Sequence, residues 1–397
     1  FLDDWNAGRD KKQRVYVSYD STNKNCQAGD IDLVEFGKAK DDKGIPVFNV
    51  SIAFDKTNRV PLFYEEYPGS ITDVSQFRCM VDKVIEYGYK KIGFILDRGY
   101  FSKENIQYMD ENQDSLIIMA KGCKSLVTSM VHGIRNTFET DRKCLIRTYK
   151  VYGTTIPSRL YEDDTDNRYF HIFYNPSRQA AEREKLEQKI ERYHEFLDQH
   201  IGSDTQFGKT YQDYFNLYYK GKKLVGVQER SDVVQRELNL CGYFCIITSE
   251  KMTAEQALIQ YKGRDISEKL FSADKSFLGG QSMRVQSSEA VSTKIFIEFI
   301  ALIVRNRIYN LLKETMQKLD GNPNYLTVPA ALRELEKIEM VRRTNGNYIL
   351  DHAVTRKQKN ILAAFGLDED TVQTNAAEIA SCLAGNQSLI NSKRKEA

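Results

Sequence analysis

The sequence predicts an α/β protein: a mixed sheet flanked by helices and interrupted by a β-rich insertion that carries one charged helix. Three observations predict it. Residues 92–96, Ile-Gly-Phe-Ile-Leu, form a nearly continuous apolar run, which suits a central strand covered on both faces. Segments alternating with period two stand beside segments with helical period through residue 120. Between residues 122 and 240 that pattern changes character, and it resumes afterwards.

The elements follow in order. Val15, Val17 and Tyr19 alternate and predict a strand over residues 14–20, with Asp20 at its end. Residues 45–55 and 60–67 are two further strands, separated by the turn-like Lys56-Thr57-Asn58. Pro68-Gly69-Ser70 breaks the pattern, and a helix is expected from Thr72 with Val74, Phe77, Val81, Val84 and Ile85 on one face and Gly88 as its stop. A strand over 91–97 ends on Asp97, a short helix covers 102–112, and a strand covers 115–120. In the middle region, residues 145–152 and 168–174 read as strands. Residues 178–199 read as a highly charged helix with Leu186, Ile190, Tyr193 and Leu197 as a narrow apolar seam. The seam fits docking on the domain, the simpler reading, or pairing with a partner helix. A strand over 243–248, a long helix from Thr253 and an apolar helix over 294–312 close the pattern.

A chain of 397 residues is long enough for two or three domains. The formal net charge of +2 does not announce a nucleic-acid binder, so any DNA-binding surface must come from a local arrangement of the 57 Lys and Arg residues. Seven scattered cysteines argue against a disulfide framework and for a reducing, cytoplasmic compartment. Cys241 and Cys245 are a close pair, but no second pair or neighbouring His completes a zinc site. The apolar run 295–304 is interrupted by Glu298 and falls short of the about 20 residues of a membrane span. The chain begins at Phe1 rather than Met, as a processed chain or a fragment would.

Asp20 and Asp97 each close an apolar strand. If those strands are parallel neighbours, both carboxylates emerge at one edge of the sheet, placed to share a divalent ion. An Asp ending a strand is more often a turn or cap residue. Tyr261, Arg264, Glu268 and Lys275 are spaced by three, four and seven residues, which at about 100° per residue sets them on one helical stripe. Taken alone, that stripe is a solvated face with Arg264 pairing to Glu268.

The full spacing Tyr-x2-Arg-x3-Glu-x6-Lys, met by those four residues, resembles the signature around the third carboxylate of DDE transposases of the insertion-sequence-four type. The segment Val17-Ser18-Tyr19-Asp20-Ser21-Thr22 resembles the first-aspartate motif of that family, and Phe94 through Phe101, with Asp97-Arg98-Gly99 at its centre, resembles the second. Pro68-Gly69-Ser70 followed by Asp73 resembles the turn before the intervening helix, and Thr355-Arg356-Lys357-Gln358 is similar to one long-chain branch. The resemblance spans residues 15–312 and implies a ribonuclease-H-like catalytic domain in two parts, 1–122 and 241–315. An insertion domain at 123–240 and a C-terminal region at 316–397 complete the division.

The resemblance further implies metal-dependent cleavage and strand transfer at transposon ends. Asp20, Asp97 and Glu268 would hold Mg²⁺, with Mn²⁺ as substitute, in a two-metal phosphoryl-transfer site. Arg264, Lys275 and Arg98 would contact backbone phosphates and Tyr261 would orient the transferred end. A structural salt bridge accounts for Arg98 equally well. The implied partners are double-stranded DNA, at the transposon ends and the target, and a second copy in a synaptic homodimer. No membrane is involved, and the location is the bacterial cytoplasm, at the nucleoid when bound to DNA. Two competing readings are a truncated, non-cleaving regulatory copy and a ribonuclease-H-like nuclease without strand transfer.

Overall fold

The computed structural model describes residues 1–27, 31–37, 44–120, 124–265, 271–272, 275, 282–319 and 323–395, the side chains of Lys124 and residues 385–395 aside. The chain divides into two compact units. The first is Phe1–Asn25, Leu33–Asn58 and Leu62–Lys269, and the second is Cys26–Asp32, Arg59–Pro61 and Leu270–Ala397.

In the first unit a short helix α1 (Leu2–Ala7) precedes β1 (Val15–Cys26), β2 (Val47–Asp55) and β3 (Val60–Pro68). Then come α2 (Asp73–Glu86), β4 (Ile92–Leu96), α3 (Lys103–Glu111), β5 (Ser115–Met119) and α4 (Lys124–Ile134). The middle of the chain adds β6 (Leu145–Ile146), β7 (Val151–Ser158), β8 (Arg168–Tyr174), α5 (Pro176–Asp198), α6 (Lys209–Gln212), β9 (Phe215–Lys220), β10 (Lys223–Glu229) and α7 (Ser231–Leu238). β11 (Tyr243–Thr248) and α8 (Ala254–Lys262) follow. One mixed sheet runs in the order β3-β2-β1-β4-β5-β11-β8-β7-β6. β1, β4 and β5 are parallel, and β5, β11, β8, β7 and β6 pair antiparallel in turn. This is the helix-flanked α/β sheet expected of a ribonuclease-H-like fold, and residues 145–174 widen it at one side.

Local chemistry explains the boundaries. The Thr72 side chain accepts from Ser75 N–H to start α2, and Gly88, at φ +86°, turns the chain out of it. Phe77, Val81 and Val84 are buried as expected, whereas Ile85 is exposed. The Pro68-Gly69-Ser70 turn is pinned by Asn49 Nδ2, which donates to Pro68 O and Ile71 O at 2.9 and 3.1 Å. A Cβ on Gly69 would stand 2.1 Å from Val47 O, so only glycine fits there. Asp73 accepts from Tyr67 Oη at 2.9 Å, which ties the turn motif to the strand before it. The strand expected over 145–152 is instead two strands around a turn at Lys150, whose φ is +54°.

Both faces of the sheet are covered. On one, Phe77 meets Phe94 edge-on at 5.7 Å, and Tyr19 and Tyr100 lie 5.3 Å apart. On the other, Leu258 and Tyr261 of α8 pack with Ile95, Ile117, Phe173 and Ile246. Each such buried side chain contributes about 1.5–3 kcal/mol. The seam of α5 docks within its own unit: Ile190 and Leu197 join Phe215, Leu224, Val234 and Leu238 in a separate cluster.

In the second unit α9 (Ser288–Gln317) starts at the Ser287 cap and runs longer at both ends than the apolar pattern predicts. With it are α10 (Val328–Leu335), the hairpin β12 (Met340–Arg342) and β13 (Tyr348–Leu350), α11 (Arg356–Ala364) and α12 (Glu369–Lys395). Leu312, Leu326, Val328, Ala331 and Ile361 form its core cluster. Thr355-Arg356-Lys357-Gln358 proves to be a capping box: Thr355 and Gln358 satisfy each other's backbone N–H groups. Among the described residues, no helix is long and apolar enough to cross a membrane.

Candidate active site at the carboxyl edge of the sheet

β1 and β4 are parallel neighbours in a register that pairs Val15 with Ile92 and Tyr19 with Leu96. One residue further stand Asp20, still within β1, and Asp97, just past the end of β4. Side chains alternate across a strand, so Asp20 shares a face with Ser18 and Tyr16, and Asp97 with Ile95 and Gly93. Tyr16 and Ile95 pack in the cluster that contains α8. Both carboxylates therefore rise at one edge and on one face, the face α8 covers. Gly93 keeps that face close: a Cβ there would meet the Tyr16 ring at 2.6 Å.

The two aspartates are held differently. Asp97 follows β4 and caps a 3-10 turn over Arg98–Tyr100, its Oδ1 accepting from Arg98 N–H at 2.7 Å. Asp20, contrary to expectation, is not at a strand end. β1 continues through the polar residues that follow because β2 pairs with it, Asp20 lying opposite Ile52 and Asn25 opposite Val47. Asp20 Oδ1 accepts from Ser21 N–H at 2.9 Å.

α8 brings two more of the expected residues to Asp97. The helix starts in a capping box of Thr253 and Gln256. Near its end the buried Tyr261 sets its Oη 3.5 Å from Asp97 Oδ1. Arg264 Nη1 stands 3.6 Å from Asp97 Oδ2, with its guanidinium 5.5 Å from the Tyr261 ring centre. The long helix expected from Thr253 ends at Lys262, where the Arg264 N–H turns back to Tyr261 O. Tyr261 and Arg264 thus both reach Asp97, although Arg264 stands in the turn after α8 and not on a helical stripe. Glu268 lies outside the described residues. Lys275 is helical and half-buried and belongs to the second unit. Arg98 is exposed and makes no ion pair among the described residues.

Lys56, read from sequence only as part of a turn, reaches the end of α8. Its Nζ donates to Ile259 O, Gln260 O and Gln260 Oε1 at 3.3, 3.0 and 2.6 Å, and burial lowers its ammonium to about 8. No local pattern signals a contact between residues more than 200 positions apart.

Elsewhere, His171 of β8 is held between two threonines. Its two ring nitrogens lie 2.8 Å from Thr155 Oγ1 and 2.9 Å from Thr248 Oγ1, across both neighbouring strands, and burial lowers it to about 4. Cys241 and Cys245 are buried, and neither is in a disulfide. Among the described residues no three His, Cys, Asp or Glu side chains converge as a metal cluster. Asp20 and Asp97 supply two carboxylates of the oxygen-rich kind a hard cation such as Mg²⁺ takes, and that donor chemistry fits.

Residues 17–304 match the family model described as the transposase DDE domain. No curated protein matches the sequence. A cryo-EM structure of a piggyBac transposase synaptic complex with hairpin DNA is similar at 7% identity and a TM-score of 0.37, covering 94% of this chain and 56% of that one. The chain thus spans little more than half the length of that solved protein.

Proposed function

The chain belongs to the transposase DDE-domain family, and from that premise we propose that it cuts DNA at transposon ends and joins the freed ends to a target. The observation that carries this reading is the parallel register of β1 and β4, with Tyr261 and Arg264 gathered at Asp97. Asp20, Asp97 and Glu268 would hold the divalent cation. Mg²⁺, or Mn²⁺ in its place, would when bound supply Lewis acidity to the phosphodiester and charge stabilisation to its transition state.

The chain's own residues then divide the work. Asp20, fixed within a paired strand, gives an immobile oxygen ligand. Asp97 offers Oδ2 while Oδ1 accepts from the Arg98 N–H. Arg264 balances the Asp97 charge in the free protein and turns to a backbone phosphate of bound DNA, with Lys275 and Arg98 as further phosphate contacts. Tyr261 sets its phenol beside the scissile phosphate and orients the transferred end. The four-residue spacing supports the reading that the chain is of the insertion-sequence-four type. We divide it into catalytic halves at 1–122 and 241–315, an insertion domain at 123–240 and a C-terminal region at 316–397. The working form is a homodimer that synapses two double-stranded ends.

The test is a duplex carrying the element's own terminal repeat, incubated with purified chain and Mg²⁺ or Mn²⁺. Nicked and joined products are expected from the wild type. Asp20→Asn and Glu268→Gln are expected to lose on the order of a thousandfold in rate with unchanged thermal unfolding. Cleavage by either variant at the wild-type rate would remove that residue from the chemistry, and cleaved but never joined products would leave a nuclease.

A further inference from the structure

The end of α8 is held by a residue that neither strand of the candidate site contains. Lys56 follows β2, and its own N–H is fixed by Tyr16 O at 2.8 Å. From there its side chain runs to the last turn of α8 and donates to two backbone carbonyls and to Gln260 Oε1. Those carbonyls lie in the last turn of the helix, where both also accept from the Gly263 N–H and where the helix dipole favours a cation.

Gly263 makes room for this contact. A Cβ on it would lie 1.9 Å from Lys56 Cε and 2.6 Å from Nζ. The Gly263 backbone has φ −61° and ψ −16°, an ordinary helical conformation that any residue adopts. Glycine is therefore needed there for the lysine stem and not for the backbone. Tyr261 lies two residues before Gly263 and Arg264 directly after it, and both reach Asp97.

We propose that Lys56 is a positioning residue: wedged over Gly263, it fixes where α8 ends and so aims Tyr261 and Arg264 at Asp97. The proposal rests on the cleavage reading for its effect on rate, while the contact itself stands on geometry. Lys56 touches none of the reacting groups and acts through the helix end.

The test uses the full chain with Lys56→Met, Lys56→Arg, Gly263→Ala and the double variant Lys56→Met with Gly263→Ala. Single-turnover end cleavage at saturating DNA should fall about tenfold in Lys56→Met, a misplacement effect, with end affinity unchanged. Lys56→Arg should restore most of the rate. Gly263→Ala should match Lys56→Met, and the double variant should be no slower than either single change, because both remove one contact. Hydrogen–deuterium exchange without DNA should show faster exchange over residues 259–265 in Lys56→Met and protection regained in Lys56→Arg. Wild-type cleavage by Lys56→Met, or additive losses in the double variant, overturns the positioning role. Unchanged exchange in Lys56→Met overturns the contact. If the wild-type chain never cleaves, the proposed function falls, and faster exchange in Lys56→Met still upholds the clamp on α8.

Discussion

The two ends of the parallel strands carry contrasting aspartates. At the carboxyl edge, Asp97 is 38% exposed by side chain and faces the Arg98 N–H, the Tyr261 phenol and the Arg264 guanidinium. At the amino edge, Asp114 directly precedes β5, is 8% exposed, and has a buried Oδ2 with no hydrogen-bond partner. Burial alone raises its carboxyl to about 7. Asp114 also lines a cavity of about 550 Å³ beside Asp110, Glu111, Asp163, Asp164 and Asp166, where Arg168 pairs with Asp110. The amino edge thus has more carboxylates, yet at neither edge do three described side chains converge as a metal cluster. Carboxylate count does not make a site. Donors and a cation gathered around Asp97 hold its carboxylate in place and within reach, whereas burial of Asp114 Oδ2 without a hydrogen-bond partner raises that carboxyl.

The sharpest way to break this contrast is to neutralise each edge in turn. Asp97→Asn should lower end cleavage on the order of a thousandfold, and Asp114→Asn should leave the rate unchanged; the opposite result in the same assay would move the chemistry to the other edge. Next in size, Arg264→Ala should reduce both cleavage rate and end binding by about ten- to a hundredfold, since it removes the proposed phosphate contact beside Asp97. Gel-shift and single-turnover measurements that both match the wild type would separate Arg264 from the site.

A smaller effect concerns stability. The Asp114 carboxyl is raised in the folded state, so between pH 3.8 and about 7 the native protein binds the extra proton. Its contribution is fully present below the unfolded value and is lost as pH rises through the folded one. Asp114→Asn, which cannot ionise, should therefore gain stability over the wild type by about 2 kcal/mol between pH 5 and pH 8. Urea unfolding at the two pH values checks this, and parallel curves would mean that water reaches Oδ2. Smallest, Gly93→Ala should cost about 1–2 kcal/mol by driving a methyl into the Tyr16 ring beneath Asp97. A thermal melt equal to the wild type would show that the ring gives way.

Much of this was legible in the sequence, for reasons that differ by residue. Residues 92–96 declare a central strand because both faces are covered and every side chain is apolar. Thr72 and Gly88 bracket α2 because caps act within a few residues of the ends they serve. The spacing of Tyr261 and Arg264 brings them together at Asp97, but through a turn after α8 that a continuous helical stripe does not anticipate. The stretch of β1 beyond Asp20 was not legible: Ser21, Thr22, Asn23, Lys24 and Asn25 have no strand-like pattern, and they extend because β2 pairs with them. Nor was the end of α8, since Gly263 inside a helical pattern reads as a tolerated defect until Lys56 is seen lying over it. The pairing of β1 with β4, on which the nearness of Asp20 and Asp97 depends, is long-range and leaves no mark in either segment. Glu268 lies outside the described residues.

The different mounting of the two aspartates bears on which length changes the gene can accept. Deleting one residue from β1 just after Asp20 would invert every later side chain against β2, exchanging the two faces of the strand over its whole remaining length. The same deletion past Asp97 falls in a short turn before α3, where the chain can reroute without disturbing a ladder. Length variation among descendants of this sequence should therefore accumulate after the second aspartate and be purged after the first.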